Sequence, residues 1–470
     1  MSRTMTLDSC IILPTSKHGR PPPPAAVPLH DLDLISPPVQ IHNHRFYRPA
    51  THLSGPALID TLKASLAEAL ELCPPVAGTV RTNDRGEPCI AMDAANIQGT
   101  PFQVCISNAP YAGDSEELSP RTEVLLAPLS SSLAVKVTQF SCGTIAIGSS
   151  IHHQVADLRA FLDFLELWAQ IARGESIDLA TIPDDWSRNP GRFFPTVEST
   201  AQALPPPPPF TVLPAPATGP PAILMQPSVI TRWNFTKSSM ERLKADFSPA
   251  ASQEHPSGLW ISSGDALASL LCGAITRARE DGSVPRVEGR SSAESPYESI
   301  AMAADGRVRA PQGNMADGRY YGNFNPLCSA SVSRSDLLSL SCDAASRVAL
   351  AVRGALNLQL SPEAIARKIS FFEDPQNTKP SGRIVWTADI ILTNWCRFDL
   401  RGPKLDFGWG KPFRSTSGGV TVYPPGYCIL TEDKDSEIVS VMMTVEQVGA
   451  NKLKTDSLLN RYAVQDLTSQ

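Results

Sequence analysis

The segment ALPPPPPFTVLPAPATGPPAILMQPS, Ala203 to Ser228, constrains this chain more than any other stretch. Proline fixes φ and has no N–H to donate, so the segment forms neither a helix nor a central strand. Read as polyproline II at about 3.1 Å per residue, it is a stiff strap able to cross roughly 60 Å or more of surface. It falls near the middle of 470 residues, a length that already calls for more than one ordinary domain. The expected division is 1–202, a linker at 203–228, and 229–470. A second short strap, Pro21 to Pro24, and the polar stretch Glu280 to Ser299 read as surface loops.

Composition narrows the function classes. The net charge of −6 gives no global basic field, and no basic cluster is interleaved with aromatics, so nucleic acid is not an expected partner. No apolar run approaches 18 residues, so no membrane-spanning helix is expected. The ten cysteines are scattered singly, without a C-x-x-C pair, and read as buried thiols. The N-terminal apolar stretch CIILP is too short for a signal peptide. Both features predict a reducing, cytoplasmic setting.

Apolar alternation in SLAVKVTQF and GTIAIGSS, separated by Ser-Cys-Gly, predicts a hairpin. The period then changes. Leu158, Phe161, Leu162, Leu165, Trp168 and Ile171 recur at helical spacing, stopped by Gly174, so about four turns of helix follow Asp157. A second helix is read in ISSGDALASLLCGAITRARE behind a serine cap, and a strand followed by a helix in TRWNFTKSSMERLKADF. SIAMAADGRVRA, YYGNFNPLCSASVS, RIVWTADIILTNW and EIVSVMMTVEQV read as strands. The alternation predicts two layered α/β domains.

His152 and His153 therefore sit between a strand end and a helix start, where ligands of α/β proteins gather. A histidine there can be a packed core residue, a metal ligand or a proton carrier. A metal needs at least three protein ligands; His152, His153 and Asp157 are three, but adjacent residues at a strand end point in opposite directions, so no metal is expected. Proton transfer needs one imidazole near neutral pKa. On that reading His153 faces a cavity, His152 is structural, and Asp157, in the first helical turn, suits the helix dipole and an arginine from elsewhere. An acyl-enzyme on Cys142, Ser149 or Ser150 is not expected, since Cys142 has no cationic neighbour in sequence and no G-x-S-x-G elbow occurs.

His153-Gln154-Val155-Ala156-Asp157 and, some 250 residues on, DFGWGKP (Asp406 to Pro412) together resemble the two signatures of the BAHD acyl-CoA-dependent acyltransferases. Four further pieces agree in order: SSGDALASLLCGAITRAR, AADGRVRAP, YYGNFN and TNW. The resemblance spans essentially the whole chain, which is similar to fungal members of the family such as trichothecene O-acetyltransferase. It implies two chloramphenicol-acetyltransferase-like α/β domains with a central channel, the proline strap as crossover linker, and a segment near Arg383 to Trp395 completing the first domain's sheet. It also implies an enzyme, expected to be monomeric, that moves an acyl group, acetyl by preference, from acyl-CoA as co-substrate to a small hydroxylated natural product in secondary metabolism. No permanently bound cofactor is implied. His153 would be the general base and the Trp395 indole an oxyanion donor. Asp406 would hold an arginine in a turn built by Gly408, Trp409 and Gly410, and Asp157 would pair with Arg307 or Arg309. Ser262, Ser263, Tyr321, Gly322 and Asn323 fall at positions near CoA. Two departures stand out: Leu158 follows Asp157 where the family usually has glycine, and Asp265 replaces glutamate. The doubled histidine is also similar to the H-H-x-x-x-D-G motif of peptide-synthetase condensation domains, which use carrier-bound thioesters. A non-catalytic ligand-binding protein on the same fold is the remaining alternative.

Overall fold

The computed structural model describes residues 4–49, 55–93, 99–120, 131–183, 185–195, 197, 226–249, 259–280, 291, 294–311, 320–374, 388–418 and 423–466, and the backbone of 210–214 and 382–386. Its contacts divide into two units. The first comprises Met1–Phe193, Ala310–Phe324 and Leu400–Thr421, and the second Phe194–Arg309, Asn325–Asp399 and Val422–Gln470.

The expected hairpin lies in the first unit. The alternating strands β4 (Leu133–Phe140) and β5 (Ile145–His152) pair antiparallel around Gly143, which takes φ 83°. They join β1 (Thr4–Ile12), β2 (Gln40–Tyr47) and β3 (Thr100–Ser107) in the order β1-β3-β4-β5-β2, and Arg414–Thr416 adds a sixth strand beyond β2. The long helices described in this unit are α1 (Gly55–Leu72) and α2 (Leu158–Ala172). They pack on each other through Trp168, whose indole N–H reaches Leu62 O at 3.2 Å and Ser65 Oγ at 3.1 Å. Asp157 caps α2 by accepting from Ala160 N, and Gly174 at φ 70° follows its end.

The segment expected to complete this sheet does not do so. Ile390–Asn394 lies inside the second unit's sheet, where its buried apolar residues pair on both sides, and among the described residues Gly382–Trp386 pairs with Phe210–Pro214 alone. The sixth strand comes instead from Arg414–Thr416, which borders β2 from Phe46 to His44. Three residues carry too little periodicity to announce a strand in sequence.

The second unit holds β6 (Ser228–Phe235), β7 (Tyr297–Met302), β8 (Cys328–Ser333), β9 (Ile390–Asn394), β10 (Tyr427–Asp433), β11 (Ile438–Glu446) and β12 (Val464–Gln465). Their order is β8-β7-β9-β10-β11-β6-β12, with β7, β9 and β10 parallel and the other pairs antiparallel. Helices α3 (Ser263–Ala278) and α4 (Cys342–Gln359) pack together. Two strand expectations are shortened: β7 stops at Met302, before a single helical turn at Arg307–Arg309, and 320–327 stays out of the sheet ahead of β8. Within the proline strap, Phe210–Pro214 forms one strand of a two-stranded sheet, where both strands are edges and proline is tolerated. The rest of that strap, apart from 226–228, lies outside the described residues.

Candidate active site

His152 is the last residue of β5 and His153 the first beyond it. His152 is buried, and its Nδ1 accepts from Gln154 N at 3.2 Å. His153 is half-buried, with Nδ1 on the buried side of the ring. Burial holds its imidazole below the ordinary histidine value, against the opposing charge of Asp157, so the ring is neutral near pH 7. Asp157 accepts from two backbone amides, Ala160 N to Oδ1 and Phe324 N to Oδ2, each at 2.9 Å.

The main chain of this loop is held from beneath. His153 N donates to Val39 O at 2.9 Å. The carbonyls of 153, 154 and 155 then accept from Asn323 Nδ2 (2.8 Å), Arg188 Nη2 (2.9 Å) and Arg188 Nη1 (2.9 Å). Arg188 also reaches Tyr321 O at 3.2 Å and grips Asp33 through Nε (3.0 Å) and Nη2 (2.6 Å). Asp33 Oδ1 accepts in addition from the backbone and side-chain amides of Asn323, at 2.9 and 3.0 Å. Asp33, Arg188 and Asn323 are all buried. Two backbone features admit the guanidinium. A Cβ on Gly322 would lie 3.0 Å from Arg188 Cζ. Trp186, packed edge-on to Tyr321, takes φ 53°, at a cost of order 1 kcal/mol or more for a bulky residue. Asp33 and Arg188 escaped the sequence reading because nothing local marks them. The turn Tyr321-Gly322-Asn323, expected beside a cofactor, is buried, and the Tyr321 carbonyl and the Asn323 amides belong to this frame.

Asp406 caps its own turn. Its Oδ1 accepts from Gly408 N (2.7 Å), Trp409 N (2.9 Å) and Gly410 N (2.8 Å). Gly408 and Gly410 take φ 107° and 109°, which a side chain would resist. The expected arginine is present in altered form: Arg173 Nη1 donates to the Asp406 carbonyl, and its Nε meets Glu175. Trp409 stacks on Phe407 and meets Tyr47 edge-on, and Phe407 meets Trp168 at 4.8 Å, so DFGWG is an aromatic plug against α2.

The second unit holds the other expected residues. The Trp395 indole N–H, expected to serve an oxyanion, is bonded to Thr393 Oγ1 at 2.9 Å. An oxyanion role would require that bond to be given up. Ser262 is the N-cap of α3 in a reciprocal capping box with Asp265, and Arg353 binds both, so Ser262 is already engaged. Ser263 is the half-buried first residue of that helix. Arg307 meets Asp305 at 3.1 Å. Among the described residues no group of three His, Cys, Asp or Glu side chains is arranged to hold a metal ion.

A model of the Transferase family, the acyltransferase family that the motifs resemble, matches residues 6–457. The chain belongs to this family. It is an acyltransferase. Among its relatives, Acyltransferase uat1 of Mycosarcoma maydis is 27% identical, covering 87% of this chain and 84% of that one. Shikimate O-hydroxycinnamoyltransferase of Nicotiana tabacum is 26% identical, covering 89% and 92%. Among solved structures, F. graminearum TRI101 complexed with coenzyme A and T-2 mycotoxin superposes with a TM-score of 0.71 at 15% identity, over 94% of this chain and 99% of that one. Vinorine synthase gives 0.67 at 20%, over 99% and 100%. These likenesses show the shared two-domain α/β fold.

Cys142 differs from the sequence expectation, since its exposed thiol is brought down to about 7 by Thr144 and by the Tyr111 N–H at 3.3 Å, with no cation involved. It sits at the far end of β5 from His153, roughly 23 Å away along the strand. Ser149 and Ser150 are buried within β5. Asp114, His44 and Ser119 line up as a carboxylate-imidazole-hydroxyl relay, at 2.6 and 2.9 Å. That relay is walled in: a Cβ on Gly148 would fall 2.1 Å from Leu118 O, and one on Gly418 2.9 Å from His42 Cβ. It clamps 114–119 onto β2.

Proposed function

We propose that this acyltransferase moves an acyl group, acetyl by preference, from acyl-CoA directly to a hydroxyl of a small natural product, with His153 as general base, in cytoplasmic secondary metabolism. The observation that carries the reading is a half-buried imidazole, kept neutral by burial, on a loop whose carbonyls at 153, 154 and 155 are each bonded. A neutral imidazole accepts the hydroxyl proton as the acceptor oxygen attacks the thioester carbonyl. Collapse of the tetrahedral intermediate breaks the C–S bond, and the departing CoA thiolate takes that proton. The relatives support a CoA thioester and an oxygen acceptor: one is a shikimate O-hydroxycinnamoyltransferase, and the TRI101 structure holds coenzyme A and a mycotoxin. Asp157 and Asp406 serve this reading as architecture, since both spend oxygens on backbone amides.

The test is release of free CoA thiol from acetyl-CoA with a panel of hydroxylated terpenoids and phenolics. His153→Ala is expected to lose at least about 100-fold in kcat, with an unchanged circular dichroism spectrum. A fully active His153→Ala enzyme would remove His153 from the chemistry. Turnover of a carrier-bound thioester but not of CoA thioesters would move the protein to the condensation-type reading.

A further inference from the structure

We propose that Arg188 is a positioning residue for His153: locked to Asp33, it fixes the main chain that follows the base and so sets where the imidazole stands. The inference rests on the reading of His153 as the general base. All five guanidinium N–H groups sit in one buried cluster, and beyond Asp33 their partners are the carbonyls of Gln154, Val155 and Tyr321. The first two are the residues directly after His153, and Asn323 takes the carbonyl of His153 itself while bonding Asp33. The loop thus has three consecutive carbonyls tied to one ion pair.

A buried pair is a poor device for stability alone, because desolvating both ions offsets their attraction and an apolar pair of similar volume often serves as well. What the pair supplies here is direction. A planar fork sets two carbonyls at fixed angles to the carboxylate that holds it, which an ammonium on a flexible stem does not. The protein accommodates the fork at some cost, in the left-handed Trp186 two residues earlier and in the missing Cβ at Gly322. Tyr320 Oη further ties the carbonyls of Arg188 (3.0 Å) and Asn323 (3.2 Å) together, so both arms of the frame are fixed to each other.

The experiment uses Arg188→Lys and Gly322→Ala, the second displacing the guanidinium without touching any charge. Both are expected to lower kcat by roughly 10- to 100-fold, the scale of an ångström misplacement at a reacting group, and to leave the KM for acetyl-CoA within about three-fold. The second readout needs no turnover: the imidazole titration of His153, followed by NMR of ring-labelled histidines and assigned by its absence in His153→Gln. In both variants it should move up toward the free value of about 6.5 as the loop opens to water. Lower melting temperatures, with kcat per folded molecule and the titration of His153 unchanged, would overturn the proposal and leave Arg188 merely structural. If Arg188→Lys fails to fold, Gly322→Ala decides on the same two readouts. Were His153→Ala itself fully active, the reading of the base would fail, while the NMR titration would still show whether Arg188 sets the environment of His153.

Discussion

Replacing Asp406 separates two roles that a loss of activity alone would confuse. Its Oδ1 accepts three backbone amides of the turn that follows, at 2.7 to 2.9 Å. Gly408 and Gly410 are exposed, so water takes over much of their share, while Trp409 is only 8% exposed and its amide has little access to water. Stranding one such buried donor costs about 1–3 kcal/mol. With the weakened turn added, Asp406→Ala should cost about 2–4 kcal/mol. Asparagine keeps an oxygen in the same place and loses only the charge, which roughly halves the strength of such bonds, so Asp406→Asn should cost about 1 kcal/mol. At about 2–4 °C per kcal/mol for a body of this size, the alanine variant should melt roughly 4–16 °C lower and the asparagine variant roughly 2–4 °C lower. Scanning calorimetry and thiol release on the same samples give the answer. Because the Arg173 contact is made to the Asp406 carbonyl, both variants keep it. Asp406→Asn should therefore retain kcat within a few-fold. An asparagine enzyme that melts normally and is a hundred-fold slower would show that the carboxylate charge takes part in the chemistry and that the cap is incidental.

Burial lowers the pKa of His153, so the acid limb of kcat/KM should fall with a midpoint below about 6.5, and a midpoint at or above that value would contradict the neutral-base geometry. Because the folded value lies below the unfolded one, protonation favours the unfolded chain. The contribution of His153 to stability is then lost as pH falls from about 6.5 through the folded value, which urea titrations at stepped pH will read. Trp395→Phe should keep kcat within about three-fold, since its N–H is already bonded to Thr393, and a fall of 100-fold or more would establish the oxyanion role that the resemblance implies.

The legible parts of this molecule are those whose signal is local. Ser262 stands three residues before an acidic residue, so that helix start is readable as a serine cap and is one, whereas Asp157, read in the first helical turn, is the cap just before it. What escaped was everything that depends on distant partners. Asp33 reads as one acidic residue in a short helix and Arg188 as one cation in a loop; only folding brings them to 2.6 Å of each other. Asn323 likewise gives its amides to Asp33 and to the carbonyl of His153, both far away in sequence.

The first unit is not made from one half of the gene. Its sheet is finished by Arg414–Thr416 against β2, and its buried Asp33 is bonded by Asn323. On a ribosome adding 5–20 residues per second, roughly 220 residues separate Phe193 from the strand that closes that sheet, a delay of about 10–45 s. Throughout that interval the nascent chain has β2 as an open edge and the Arg188–Asp33 pair without its third member, both of which invite wrong partners. A truncated gene ending at the proline strap should therefore give insoluble product, and the full chain should depend on holding chaperones early in synthesis. Splitting the enzyme into separately expressed halves would have to graft residues 310–324 and 400–421 onto the first piece, because the gene order and the folded order of this protein differ.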